Sequence, residues 1–139
     1  MKYIIPIEPK PQSRPRFRPN GKPYELKDMV HWKQAVALYL RGKRPKMIAS
    51  GSIMISMTFY LYPPQIVSKA KSKRHLENRE LEKIFVDKRP DLDNYVKAFL
   101  DASDKILFKD DGQIAAMTAQ KLYSLNPRIE IVIERMSDA

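Results

Sequence analysis

Hydrophobic and polar residues follow two different periods along this chain. Alternation of apolar and polar residues predicts strands, most clearly at Ser52 to Tyr62, where every second residue is apolar. A period of three to four residues predicts amphipathic helices, most clearly from Leu26 to Leu40. The full set of expected elements is strands at about 2–7, 52–62, 113–123 and 128–135, and helices at about 26–40, 67–83 and 93–104.

The order of these elements limits the possible folds. Strands and helices mix without strict strand–helix–strand alternation, which favours an α+β (mixed α/β) fold. The last two strands flank Asn126-Pro127, a turn signal, so we expect them to form a closing antiparallel pair. The prediction is a small single domain, residues 1–139, with a mixed or antiparallel sheet packed by about three helices.

A proline-rich stretch at about 8–24 separates the first strand from the first helix. Its prolines are expected to exclude regular structure and to leave an extended basic arm. Arg14, Arg16 and Arg18 are interspersed with prolines in this arm. They are either solvated loop charges or DNA-binding residues, and the preordered backbone favours contact with phosphates.

The composition excludes several classes of protein. With 139 residues, 43% hydrophobic and 30% charged, the chain can bury a core and is not expected to be disordered. The absence of cysteine excludes a disulfide framework and thiolate metal sites. The apolar start is broken by Pro6, and no run approaches the roughly 18 apolar residues of a membrane span. We therefore expect a cytoplasmic protein with no membrane partner and no small-molecule cofactor.

Positive charge dominates the chain except in its C-terminal third. The formal net charge is +10, and residues 1–50 carry twelve Lys and Arg against three acidic residues. Residues 91–139 carry six against nine. A basic surface suits a polyanion such as DNA. A second basic run, in the predicted helix at about 67–83, is a weaker candidate for DNA contact and contains Lys69, Lys71, Lys73 and Arg74.

Acidic residues are concentrated in one part of this basic chain. Six of the sixteen fall between Asp91 and Asp111. In an extended segment Asp91 and Asp93 project to the same side, and if Asp93 opens a helix, Lys97 lies one turn further on the same stripe. Asp111, in a turn after that helix, would supply a third carboxylate. Such a set suits Mg²⁺, with Mn²⁺ as a substitute, and the cation would offset the repulsion between carboxylates and DNA.

Each part of this pattern also has an ordinary structural explanation. Pro-Asp-x-Asp-Asn before a helix is a common loop and N-cap. Lys97 would serve as an i,i+4 partner of Asp93 or Asp101. Asp110-Asp111-Gly112 forms a good turn without any chemistry. The conjunction of these parts within an otherwise basic chain favours the metal site.

Taken together, the segments resemble a known family. In order and spacing they resemble the signature of RusA-type Holliday junction resolvases. The matching residues are Asp91-Leu92-Asp93-Asn94 with Lys97 and Asp101-Ala102, then Lys109-Asp110-Asp111-Gly112-Gln113-Ile114, and near the start of the chain Arg14-Pro15-Arg16. The resemblance implies a small, dimeric, Mg²⁺-dependent endonuclease of phage or prophage type that nicks two opposing strands of four-way DNA junctions. It also implies that Asp91, Asp93 and Asp111 form the metal site and that Lys97 is the catalytic lysine. The segment at about 65–88 departs from the pattern, and its role stays open.

The residues and the resemblance favour the same chemistry, metal-assisted hydrolysis of DNA phosphodiesters. In this hypothesis the aspartates hold a metal that activates a water molecule, and Lys97 offsets charge that grows on the phosphate. A homodimer with two-fold symmetry suits a four-way junction, because each protomer can cut one of two opposing strands. Two alternatives stay open: a metal-dependent nuclease for flap or single-stranded DNA, and a non-catalytic DNA-binding module.

Overall fold

A computed structural model describes residues 1–64 and 77–136 of the chain. The strands are β1 (Lys2–Ile5), β2 (Arg16–Phe17), β3 (Pro23–Tyr24), β4 (Ile53–Leu61), β5 (Ile114–Tyr123) and β6 (Arg128–Arg135). The helices are α1 (Lys27–Gly42), α2 (Asn78–Leu81) and α3 (Leu92–Ser103), and a 3₁₀ turn spans Asp111–Gln113. The predicted α+β fold is confirmed, and the bounds of α1 and α3 agree with the predicted helices to within two residues.

Four strands form one mixed sheet in the order β1-β6-β4-β5. β6 pairs antiparallel with β1 and with β4, whereas β4 and β5 run parallel. β4 lies inside the sheet between β6 and β5, and its alternating residues Ile53, Ile55, Met57 and Phe59 are buried on one face. A parallel pair needs a crossover connection, and the chain between β4 and β5 contains α3.

The expectation of an adjacent antiparallel pair for the last two strands is wrong. β5 and β6 run in opposite directions but are separated by β4, which pairs with both. Residues 124–127 pass the end of β4, where Ser124 N donates to Leu61 O at 2.9 Å. The turn signal at Asn126-Pro127 located the reversal of the chain but not the neighbouring strand, because strands that follow one another in sequence are not always neighbours in a sheet.

One face of the sheet is covered by α1 and α3. Val36 of α1 and Tyr95 and Phe99 of α3 are buried in the core against this face. The ring centre of Tyr95 lies 5.6 Å from that of Phe59 on β4. The apolar stripe of α3 therefore fixes the helix on the sheet, and its polar stripe is left facing solvent.

The proline-rich arm contains a regular element that its composition did not predict. β2 and β3 pair antiparallel in a short hairpin, with Arg16 opposite Tyr24. Arg18 N donates to Lys22 O at 2.8 Å and closes the turn. The expectation that prolines exclude regular structure here is wrong, because Pro23 lies on a two-stranded ribbon where a missing N–H can face solvent.

The predicted helix at about 67–83 falls mostly on residues outside those described. The described part of it contains α2, a single turn. Among residues 1–64 and 77–136, no helix is both long enough and apolar enough to cross a membrane.

Candidate active site

The N-terminal end of α3 presents two free carboxylates. Asp91 is the N-cap residue of α3, and Asp93 lies in its first turn. Asp91 makes no side-chain capping bond, so the ordinary N-cap role does not account for it. Both residues are exposed, and neither is hydrogen bonded or ion paired through its side chain to another described residue. These carboxylates are therefore available to a ligand.

Contacts from two directions fix this end of α3. In the arm, Gln12 N donates to Asn94 O at 2.9 Å. On β5, Lys121 Nζ donates to the carbonyl oxygens of Lys88 and Pro90, each at 2.8 Å. The segment that leads into Asp91 is thus held between the arm and the end of β5.

The exposed stripe of α3 continues with Lys97 and Asp101, one and two turns beyond Asp93. The carboxylate of Asp101 binds Lys33 Nζ of α1 at 3.1 Å, and Lys33 also binds Glu25 at 2.6 Å. Lys97 makes no ion pair with a described residue, so the i,i+4 explanation does not account for it. Its ammonium group stays available to a charged ligand.

Glu25 joins the arm to α1 and to the stripe of α3. Burial alone would raise the pKa of Glu25, but hydrogen bonds from Lys33 and Gln12, together with the nearby charge of Lys97, hold the pKa below its ordinary value. Gln12 Nε2 donates to this carboxylate at 2.7 Å. Sequence reasoning missed the network because its members are far apart in the chain and no periodicity relates them.

Asp111 lies in the 3₁₀ turn that opens β5. The preceding residue has a structural role, because the Asp110 carboxylate accepts from Gly112 N at 2.9 Å and Gln113 completes a capping box. A hydrogen bond with Asp110, and after it burial and the acidic charges of Asp110, Asp104 and Asp101, raise the pKa of Asp111. The turn explanation accounts for Asp110 but leaves Asp111 as an exposed carboxylate among other acids.

The three predicted metal ligands do not converge within one chain. Asp91 and Asp93 lie at the start of α3, and Asp111 follows its other end. The 12 residues of α3 make it about 18 Å long. In the part of the chain that the structure describes, no group of three or more His, Cys, Asp or Glu side chains is placed to hold a metal ion. Convergence fails within one chain because α3 stands between the Asp-x-Asp pair and the turn.

The arginines of the arm are exposed, as a DNA-contacting role requires. Arg14, Arg16 and Arg18 pair with no acidic group among the described residues, and the guanidinium of Arg18 lies 5.0 Å from the ring centre of Tyr24. The contact of the arm with Asn94 brings this basic segment to the N-terminal end of α3. The other predicted DNA contacts lie outside the described residues: Lys69, Lys71, Lys73 and Arg74.

Most of the chain matches a family of DNA-cleaving enzymes. The family model described as Endodeoxyribonuclease RusA matches residues 6–134. The chain belongs to the RusA family. RusA enzymes are endodeoxyribonucleases that resolve Holliday junctions, so this RusA member is a nuclease that acts on Holliday junction DNA. The chain is also 33% identical to the Uncharacterized protein YqaN of Bacillus subtilis (strain 168) over 140 residues, which cover 99% of this chain and 97% of that protein.

Proposed function

We propose that this RusA enzyme is Mg²⁺-dependent and hydrolyses two opposing strands of a four-way junction as a two-fold dimer. The observation that carries the proposal is the pair of exposed, unpartnered carboxylates at the N-terminal end of α3, with Lys97 on the same stripe. In a chain of net charge +10 that binds DNA, such a pair repels the phosphates unless a cation lies between them.

The chemistry of the donor groups suits a hard cation. Asp91 and Asp93 offer carboxylate oxygens, which Mg²⁺ and Mn²⁺ prefer, and the chain has no thiolate to favour a softer metal. A divalent cation would supply the positive charge that activates water and stabilises phosphate oxygens in phosphodiester hydrolysis. Lys97 would offset the negative charge that grows on the phosphate, because its ammonium group forms no direct ion pair with a carboxylate of the described residues.

The third ligand would come from a second copy of the chain. Within one protomer Asp111 lies at the opposite end of α3 from Asp91 and Asp93. A two-fold axis can bring opposite ends of the two copies together, because it reverses the direction of one copy relative to the other. Each of the two sites would then combine Asp91 and Asp93 of one protomer with the partner's Asp111.

The outer edge of β5 is suited to this contact. β5 is an edge strand of the sheet, and among the described residues only its C-terminal end is covered, where Val86 N donates to Lys121 O at 3.0 Å. Along residues 114–120 no described segment pairs with the outer edge, and Met117 there is 47% exposed. An uncovered edge of this length is a natural place for strand pairing between two chains.

Antiparallel pairing of two β5 strands would assemble the proposed sites. With the two-fold axis near Ala116 and perpendicular to the sheet, the turn of one copy that contains Asp111 comes level with Lys121 of β5 in the other copy. The Asp111 turn opens β5, and Lys121 near its end holds the segment that leads into Asp91. Two such sites on one dimer would cut two strands of one junction.

A synthetic four-way junction tests the proposal. We expect the wild-type protein with Mg²⁺ to nick two opposing strands near the branch point, and to leave the junction intact when EDTA replaces Mg²⁺. A flap, a single strand and a linear duplex of the same sequence complete the panel. Equal cleavage of flap or single-stranded DNA would favour the general nuclease instead, and cleavage without a divalent cation would contradict the metal site.

A further inference from the structure

A concave cavity opens directly beside the N-terminal end of α3. Its volume is about 670 Å³, and Tyr62, Tyr95 and Tyr123 contribute three aromatic side chains to its wall. Leu61 and Val86 add apolar surface. This volume falls within the roughly 300–1,000 Å³ of pockets that hold small organic groups, and the lining has the apolar and aromatic character of such pockets.

Two hydroxyl groups in this cavity have no protein partner. Tyr95 and Tyr123 are each only 4% exposed, yet neither hydroxyl is hydrogen bonded to another described residue. The hydroxyl oxygens themselves are not among the buried unpartnered atoms of the described residues, so they are accessible from the cavity. Burial, followed by the charge of Glu8 for Tyr95 and of Asp87 for Tyr123, raises the pKa of both side chains, so both stay neutral and able to donate. The cavity therefore offers polar groups that a ligand can use.

The position of the cavity relates it to the proposed chemistry. Pro90 lines the cavity and is the residue before Asp91. Lys88 and Arg89 also line it and carry positive charge suited to a phosphate backbone. Lys121 holds this wall in place through the carbonyl oxygens of Lys88 and Pro90. A nucleotide with its phosphate at Asp91 would have its base within reach of the aromatic wall.

We propose that this cavity receives one unstacked base of the junction, next to the phosphate that is cleaved. The inference rests on the proposed function and adds a base-recognition site to it. Bases stack on aromatic side chains whatever their identity, and the two free hydroxyl groups can read the hydrogen-bonding edge of the base. Glu8, on the same lining, can accept a hydrogen bond from an exocyclic amino group. Branch points supply bases that unstack at low cost, which links this cavity to a branched substrate.

Photocrosslinking tests where the base lies. The probe is a four-way junction with 5-iodouracil placed in turn at each nucleotide that flanks the mapped cleavage site, bound to full-length Asp93→Asn protein. We expect irradiation to join one of these positions to Tyr62 or Tyr123, and a product formed with Tyr62 should be lost in Tyr62→Ala. Tyr62 is 58% exposed, so this change tests the wall without disturbing the core. Crosslinks confined to other parts of the chain would overturn the proposal.

Cleavage of junctions that differ only at this base gives the second readout. We expect a preference among the four bases in the wild-type protein and loss of that preference in Tyr95→Phe/Tyr123→Phe, which keeps both rings and removes both hydroxyl groups. We expect Tyr62→Ala to weaken junction binding about tenfold and to slow cleavage, because the base no longer stacks there. Tyr39→Phe removes a hydroxyl group on α1, away from the cavity, and should behave as wild type.

The possible outcomes separate this inference from the function on which it rests. A wild-type protein that cuts no junction contradicts the proposed function. If the wild-type protein cuts junctions and the cavity variants cut them at the same rate and with the same base preference, the base site is contradicted and the proposed function is not.

Discussion

Asp91 and Asp93 differ from the other acids of the cluster in having nothing to bind within the described chain. Asp101 is paired with Lys33, and Asp110 accepts a backbone hydrogen bond in its own turn. These partnered acids are explained by local structure. The unpartnered pair needs another explanation, and a cation shared with a DNA phosphate provides one.

Asp93→Asn should abolish cleavage and keep junction binding equal or tighter. The amide keeps the size of the side chain but removes a charge that the cation needs and that repels phosphates. We expect the rate of cleavage at saturating enzyme to fall on the order of 100-fold or more. Asp28→Asn, an exposed acid in the first turn of α1, is the matched control and should cut normally. Weakened binding with an unchanged rate of cleavage would count against the metal site.

Lys97→Ala should lower kcat more than junction affinity. Its proposed partner is charge that appears in the transition state, so its removal should slow turnover roughly 100-fold. Single-turnover cleavage and gel-shift binding, measured together, separate the two effects. Lys46→Ala, an exposed lysine in the loop after α1, controls for the loss of one positive charge. A loss limited to binding would reassign Lys97 to DNA contact.

At the scale of elements, an ion-pair network ties α2 to the end of the sheet. Arg128 Nη1 on β6 donates to Glu82 Oε2 at 2.8 Å, and its guanidinium lies 3.9 Å from the ring centre of Tyr60. The hydroxyl of Ser124 also donates to Glu82. The hydrogen bond from Arg128 outweighs the opposing effect of burial and lowers the pKa of Glu82. This network fixes the segment that follows α2 and runs alongside the end of β5.

Glu82→Gln should destabilise the fold by about 1–3 kcal/mol near neutral pH. A depressed folded-state pKa contributes stability above the unfolded-state value, and this stability is lost as the pH falls through the folded-state value. The difference between wild type and variant should therefore shrink in acid. Urea unfolding at neutral and acid pH measures it, with Glu80→Gln, an exposed acid of α2, as control. A difference that grows in acid would contradict the assigned direction.

Replacing Arg14, Arg16 and Arg18 of the arm by alanine should weaken binding to DNA of any sequence. Removing one arginine that binds a phosphate should reduce the slope of log affinity against log salt by about one, so the slope of the triple variant should fall by about three. Arg41→Ala, an exposed arginine in the last turn of α1, should leave the slope unchanged. If the triple variant keeps the wild-type slope, the arm does not contact phosphates.

The sequence predicted where the helices and strands lie better than it predicted which strands lie side by side in the sheet. The bounds of α1, α3 and β4 followed from hydrophobic period, because one face of each is buried. The position of β4 between β5 and β6 did not follow from the hydrophobic period, because strand order depends on contacts between distant segments. The same limit applies to the site. Local spacing identified the exposed stripe of α3, whereas the Lys33–Asp101 pair and the anchoring by Lys121 join residues that are distant in the sequence.

At the scale of the whole molecule, the proposed site requires two chains. One protomer carries one Asp-x-Asp pair, and α3 separates this pair from Asp111. A four-way junction has approximate two-fold symmetry, so a dimer with two composite sites matches the two strands to be cut. The composite site also makes each cut depend on assembly, which would restrain a lone protomer from nicking ordinary DNA.

Mixed dimers of two inactive variants test the composite site most directly. In a dimer of Asp93→Asn with Asp111→Asn, purified through two different tags, one composite site carries both changes and the other carries neither. We predict that each variant alone is inactive and that the mixed dimer nicks one strand per junction with Mg²⁺. Mixed dimers of Asp91→Asn with Asp93→Asn should stay inactive, because each site then carries one change. An inactive Asp93→Asn and Asp111→Asn mixture, beside an active wild-type dimer prepared in the same way, would contradict the composite site.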